Sequence, residues 1–490
     1  MSRPNWMSDQ TARMFNFANN PITIAGIAVT TVSAIMIIIL ALAQMGGAID
    51  NPYVASFAFL VMPGIFIAGL LIIPIGMLRR RRALIRSGAT DEEMTAFPRL
   101  DFNDPGLRRA GTLVLGLTAL NGIILGSAGY FGVHYMDSPT FCGEVCHTVM
   151  LPEYTAYQGS PHSRVHCVQC HIGPGASWFV KSKLDGLRQV WKTTWNTYER
   201  PVPSPVTTLR PAQQTCEQCH WPSKHHGDKV RVLARFAEDE TNTPAYSVML
   251  LKTGGGDLDS GRHGGIHWWH IYGDNKIRYL ATDERRQEIA WVELVTPDGS
   301  TYVYTNDGAE PPAPEKIAAE ARTMDCIDCH NRPTHLFLPP AKAVDEVLAA
   351  LPDLRELPFF KREVVKAVGQ KYPSNREGAE AVRKAILSYY QADYAEVATG
   401  KKALVERGAE EAARIYQRAF FPEMHTDWQT HPNNIGHEDF PGCFRCHDGS
   451  KATADGERMI PVDCENCHAF LAEGVATLPQ LDQLQFALAH

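Results

Sequence analysis

Twelve cysteines fall into six close pairs, and a histidine follows the second cysteine of every pair. Five pairs share the spacing Cys-x-x-Cys-His: Cys167 and Cys170 with His171, Cys216 and Cys219 with His220, Cys326 and Cys329 with His330, Cys443 and Cys446 with His447, and Cys464 and Cys467 with His468. The first pair differs, because "TFCGEVCHTVM" puts three residues between Cys142 and Cys146 before His147. Two thiols so spaced add to the two vinyl groups of a haem, and the adjacent imidazole reaches the iron from one face. Zinc ribbons and disulfide frameworks also pair cysteines, but neither needs a histidine after every pair. The expectation is six covalently bound c-type haems, the first on a longer loop.

Each iron has a second axial position, and its ligand decides whether the haem only carries electrons or also binds a substrate. Of the 19 histidines, six follow the cysteine pairs and 13 remain. The stretches "GSPHSRVHC", "WPSKHHGDK", "GIHWWHIYG", "NRPTHLF" and "NNIGHEDF" set histidines near a motif or beside turn-forming residues. His162, His226, His335 and His437 are the expected distal ligands, with His267 or His270 as a further one. His425 and His431 stay undecided. All six motifs keep histidine and spare ligands are plentiful, which argues against an open haem that reduces nitrite or hydroxylamine.

Three apolar stretches precede this region, at about 22–45, 55–78 and 110–131, each long enough to cross a bilayer as a helix and free of charged side chains. The first leads into a second span without an obvious cleavage site, which argues against a cleaved signal peptide. Arg79, Arg80, Arg81, Arg82, Arg86, Arg99, Arg108 and Arg109 lie between the second and third stretches, whereas "GGAIDNP" between the first two carries no basic residue. Basic loops stay inside, so the amino terminus is expected in the cytoplasm of a bacterium, the anchor in its inner membrane, and everything after His134 in the periplasm, where covalent haem is attached. The net charge of −7 and the lack of a basic stripe speak against nucleic-acid binding.

The fold expected is a three-helix transmembrane anchor (1–134) followed by a mostly α, loop-rich multihaem domain with a small β insert. Residues 135–230 carry haems 1–3. The segment "KIRYLATDERRQEIAWVELVTPDGSTYVYTND", with β-branched and aromatic residues around a Pro-Asp-Gly turn, marks a β-rich insert over 231–310. Residues 311–490 read as a helical region with haems 4–6, in which "SNREGAEAVRKAILSYY" opens on a capping box, Ser374 and Glu377, and sets Val382, Ile386 and Tyr389 near one helical face.

"FCGEVCHTVM", "SPHSRVHCVQCHIGPG" and "SKLDGLRQVW", together with the end of the third apolar stretch, resemble the NapC/NirT family of membrane-anchored multihaem quinol dehydrogenases over roughly a fifth of the chain. The resemblance implies oxidation of menaquinol or ubiquinol and delivery of electrons to a periplasmic cytochrome or reductase. Family members typically have one anchor and four haems, so this chain looks like an enlarged relative. A methionine shortly after the first motif can serve iron in the family, which points to Met150 here, with His147 as the alternative. Lys181, Lys183 and Asp185 lie in the segment resembling the family's quinol-site region, and Glu144 lies inside the first motif. About eight residues separate the third span from Cys142, which sets the first haem near the headgroups. Quinol oxidation there releases two protons and requires an acceptor. His134, at the end of the span, has three roles open to it: iron ligand, quinol contact or headgroup neighbour. The alternative to a quinol dehydrogenase is an electron-relay subunit of a larger membrane complex without its own quinol site.

Overall fold

The computed structural model describes residues 9–45, 62–90, isolated positions between 105 and 132, and 134–479 except 146, 173–175, 207–208, 222–226, 256–263 and 272–274. The chain divides into two compact units, Met1–Met136 and Asp137–His490.

In the first unit, α1 (Asp9–Ala18) precedes two long helices, α2 (Pro21–Met45) and α3 (Met62–Arg86). Both long helices contain a stretch apolar enough to cross a membrane. Their apolar side chains face outward: Ile24 is 56% and Leu71 58% exposed. That is the reverse of a soluble helix and is what a lipid solvent requires. Small residues line the seam between them. A Cβ at Gly69 would run into Thr30 and one at Gly76 into Thr23, while the Thr23 hydroxyl donates to the Ile73 carbonyl at 3.3 Å. Close backbone approach over glycine and threonine is how helices associate where no hydrophobic drive exists between them. Of the second span, expected at 55–78, residues 55–61 lie outside the described residues, and the helix described from Met62 continues past 78 through the basic cluster to Arg86. More than half of the third expected span, 110–131, lies outside the described residues.

The second unit begins with a π-helical turn, Phe141–Val145, then α4 (His147–Gln158), α5 (Cys167–His171) and α6 (Ala176–Thr194). Strands β1 (Lys229–Phe236) and β2 (Pro244–Leu251) follow, then α7 (Ile266–His270), β3 (Lys276–Ala281), β4 (Ile289–Val295) and β5 (Thr301–Asn306). The Pro-Asp-Gly turn joins β4 to β5, as its type predicts.

The strands do not form a self-contained insert. β10 (His468–Val475), directly after the last cysteine pair, pairs antiparallel with β2 to give a sheet of order β1-β2-β10. β6 (Arg322–Thr323) covers the free edge of β3, and β9 (Lys451–Ala452) that of β5. An exposed strand edge leaves its N–H and C=O groups unpaired, and distant segments of chain satisfy them here. Such pairings have no local sequence signature, so alternation alone suggested an insert.

The main apolar core is helical. It joins α9 (Pro340–Ala350), α10 (Phe360–Val368), α11 (Asn375–Asp393) and α12 (Lys402–Ala419). Ser374 caps α11, accepting from the Glu377 backbone N–H at 3.2 Å. The buried face of α11 runs Val382, Ile386, Tyr390, so the i+4 neighbour of Ile386 fills the core and Tyr389 sits half-buried beside it. Gly378 lets Tyr416 of α12 lie flat on α11, since a Cβ there would overlap the ring. Buried Asn242, in the left-handed region at φ 48°, ties the β1–β2 turn to the bundle: it donates to the Leu357 carbonyl at 2.9 Å and accepts from the Lys361 N–H at 2.9 Å. Helix ends at Ala419. Beyond it come β7 (Phe420–Phe421), β8 (Thr426–Asp427), short turns and β10, so among the described residues of 311–490 the α-helices end at Ala419.

Candidate haem sites

Each Cys-x-x-Cys-His stretch folds as a single tight helical turn. The His220 N–H donates to the Cys216 carbonyl at 2.8 Å, His330 to Cys326 at 2.8 Å and His447 to Cys443 at 3.0 Å. That bond sets the histidine one turn past the first thiol, beside the second. Local caps enforce it: in α8 (Cys326–Cys329) Asp325 accepts from the Ile327 N–H at 3.0 Å while Asp328 accepts from the Asp325 N–H at 2.7 Å. The eleven described cysteines form no disulfide with one another.

The first pair achieves its longer spacing through the π turn Phe141–Val145. A π turn is one residue wider than an α turn, which is the one residue by which this motif exceeds the others. Gly143 makes the wide turn possible against α4, because a Cβ there would overlap the Tyr154 ring. The Tyr154 hydroxyl donates to Glu144 at 3.2 Å. Cys146 and the side chain of His147 lie outside the described residues, and Met150 is half-buried on α4.

Five motif histidines each face a histidine from outside the motifs. Ring centroids are 6.4 Å apart for His171 and His335, 5.9 Å for His220 and His162, 6.3 Å for His330 and His267, 5.8 Å for His447 and His270, and 6.2 Å for His468 and His437. A metal–imidazole bond of about 2.0 Å on each side, plus about 1.1 Å from nitrogen to ring centre, separates two trans imidazoles by about 6.2 Å. The gaps therefore fit an iron between the rings. Both His267 and His270 take part, one facing each of two motifs, from a single turn of α7. His226 lies outside the described residues.

The hydrogen bonds of these rings also suit iron. His335 Nδ1 lies 3.0 Å from the Glu153 carbonyl, His270 Nδ1 2.7 Å from that of Ile266, and His447 Nδ1 2.7 Å from that of Pro461. A carbonyl only accepts, so Nδ1 carries the hydrogen and Nε2 keeps its lone pair for a metal. Burial lowers the pKa of His171 and His270, and burial reinforced by Arg332 pushes His335 down to about 4. Neutral imidazole is the ligating form.

Several residues that no motif signalled tie neighbouring haem sites together. Buried Arg210 donates to the Ile172 carbonyl at 2.9 Å, just past the second motif, and to the Gln214 carbonyl, just before the third. The Ala212 N–H donates to Asp325 at 3.4 Å, linking third to fourth. Arg445, inside the fifth motif, donates to the Asp328 carbonyl inside the fourth at 2.9 Å. His437 stacks on Phe444 of the fifth motif at 4.2 Å while facing His468 of the sixth. The Cys167 thiol is held down to about 7 by a hydrogen bond with Cys142, so the first two sites touch as well. Arginine and backbone contacts of this kind leave no spacing pattern to read.

Of the residues expected around quinol, Lys181 is exposed and lies over the Trp178 ring at 5.1 Å. Asp185 is half-buried on the same helix, α6, and the Lys183 side chain lies outside the described residues. In the first unit, His134 is exposed, edge-on to Tyr130 at 4.5 Å. His425 is exposed, whereas His431 is buried, and burial together with Arg332 and Arg285 pushes it down to about 4.

Residues 106–202 match the family described as "NapC/NirT cytochrome c family, N-terminal region". The "Cytochrome c-type protein ImcH" of Geobacter sulfurreducens is 41% identical over 462 residues, covering 94% of this chain and 90% of that protein. No solved structure matches.

Proposed function

The chain belongs to the NapC/NirT-like membrane cytochromes c, and from that membership we propose that it carries six c-type haems, oxidises menaquinol or ubiquinol beside the first, and delivers the electrons to a periplasmic cytochrome or reductase. The observation that carries the reading is the set of five histidine pairs spaced for a six-coordinate iron. His335 serves the haem of His171, His162 that of His220, His267 that of His330, His270 that of His447, and His437 that of His468. The first haem takes Met150 or His147, and its π turn sets it apart. His226 remains a spare ligand. Haem held between these histidine pairs would supply one-electron carriage.

The chain's own residues have separate work. The Nδ1 bonds fix the ring planes of His335, His270 and His447, burial keeps His171, His270 and His335 neutral, and the contacts through Arg210, Asp325, Arg445 and Phe444 support an unbranched order of sites from second to sixth. Quinol loses two protons as it gives up two electrons. Lys181, Lys183 and Asp185 on α6, with Glu144 in the first motif, offer two amines and two carboxylates to take up and release them. The amino terminus is cytoplasmic and the haem unit periplasmic in this reading, as the arginine-rich segment at 79–109 supports.

Rapid mixing of the oxidised membrane protein with a reduced menaquinone analogue tests the proposal. Fast, inhibitor-sensitive reduction of the haem absorption bands is expected, with Lys183→Ala and Asp185→Ala slowing it at least about tenfold while dithionite reduction is unchanged. Reduction by dithionite alone would instead make the chain a relay subunit whose partner oxidises quinol.

A further inference from the structure

Beside the His171 and His335 pair lies a buried polar corner that the proposed function leaves without a task. Arg332 and His431 are 9% and 8% exposed, and Arg332 Nη2 and His431 Nε2 have no hydrogen-bond partner. The remaining contacts are firm. Arg332 Nε donates to the His335 carbonyl at 2.8 Å, and His335 Nδ1 donates to the Glu153 carbonyl at 3.0 Å. Asn331 donates to the Pro432 carbonyl at 2.8 Å and accepts from the Asn434 N–H at 2.9 Å, which pins His431 next to the Arg332 segment. Glu153 Oε2, the third unpartnered atom, makes no ion pair with Arg332 among the described residues.

A guanidinium N–H and an imidazole nitrogen left without partners inside a protein are costly to bury, and a fixed guanidinium fork suits a carboxylate. Arg332 already holds the His335 carbonyl, so a group bound between His171 and His335 lies next to these atoms. We propose that Arg332 and His431 hold a propionate carboxylate of the haem bound between His171 and His335. The inference rests on the bis-histidine reading of that site. The guanidinium then accepts the propionate's charge beside the distal ligand that it already positions, and His431 acts as a neutral donor to the same carboxylate.

A cryo-electron-microscopy structure of the full haem-loaded chain in lipid nanodiscs decides it. The expected map shows a propionate oxygen at hydrogen-bonding distance, about 2.7–3.1 Å, from both Arg332 Nη2 and His431 Nε2. Propionates of that haem directed elsewhere, with water or the Glu153 carboxylate closing on Arg332, would overturn the assignment while leaving the bis-histidine reading intact. An absence of haem between His171 and His335 would sink the underlying reading, and the inference with it. In potentiometric titration of variants that retain full haem content, Arg332→Gln is expected to shift one haem about tenfold toward its oxidised form, about 59 mV for one electron. Arg332→Lys should restore most of that shift, and unchanged potentials in both variants would count against any role for the guanidinium at this haem.

Discussion

His270 shows how much one residue decides. Its Nδ1 is committed to the Ile266 carbonyl, its burial keeps it neutral, and its free face meets His447 at 5.8 Å between ring centres. Replacing it with alanine should leave all cysteines loaded but turn one low-spin haem high-spin, visible by electron paramagnetic resonance. A spectrum identical to the parent would remove His270 from the ligand set. A second residue-scale expectation concerns Lys361, which pairs with Asp345 at 2.7 Å with both side chains nearly buried. Asp345 also accepts from the Phe236 N–H at 3.0 Å, so it joins β1 to the bundle. Lys361→Met strands a carboxylate in the core and should cost about 3–5 kcal/mol, read as a lower melting temperature with haem spectra unchanged below it.

At the scale of elements, the short helix α7 gives one turn to two sites, since residues three apart share a helical face. A change that rotates this turn therefore disturbs the fourth and fifth sites together. The π turn before α4 shapes the first site, and its Cys142 also reaches Cys167 of the second. Gly143→Ala forces a methyl into the Tyr154 ring and should reduce haem content by one on pyridine haemochrome assay. Loss of several haems would mean that the turn matters to the whole unit. In the bundle, Gly378→Ala drives a methyl into Tyr416 and should destabilise by about 1–3 kcal/mol, again measured by thermal melting.

For the whole molecule, the links between successive motifs make the order of sites a property of the fold as well as of the chain. If that order is the electron route, the sixth site is the exit. Cys464→Ala with Cys467→Ala should then leave five haems reducible by quinol yet stop delivery to a soluble acceptor, measured as acceptor reduction after quinol mixing. Undiminished delivery would place the exit at an earlier site. The double change removes a site whose neighbouring strand β10 also closes the β1-β2-β10 sheet, so circular dichroism should accompany the measurement.

The amino-acid sequence by itself determined the chemistry of attachment, because thiol spacing and an adjacent imidazole are local facts within one helical turn. It also determined the two apolar helices, the Ser374 cap and the pool of histidines, five of which face a motif histidine. Which histidine faces which motif was beyond it. His335 follows the fourth motif yet meets the second, and His162 precedes the second yet meets the third. Those partners are set by long-range contacts through arginine, asparagine and backbone groups, which carry no periodicity. The same holds for the sheets, whose last strands come from far along the chain, and for the choice of Tyr390 over Tyr389, since the Tyr390 hydroxyl reaches the Pro358 carbonyl at 2.9 Å. Tertiary structure had the final word wherever two segments distant in the chain had to satisfy each other's hydrogen bonds or fill each other's space.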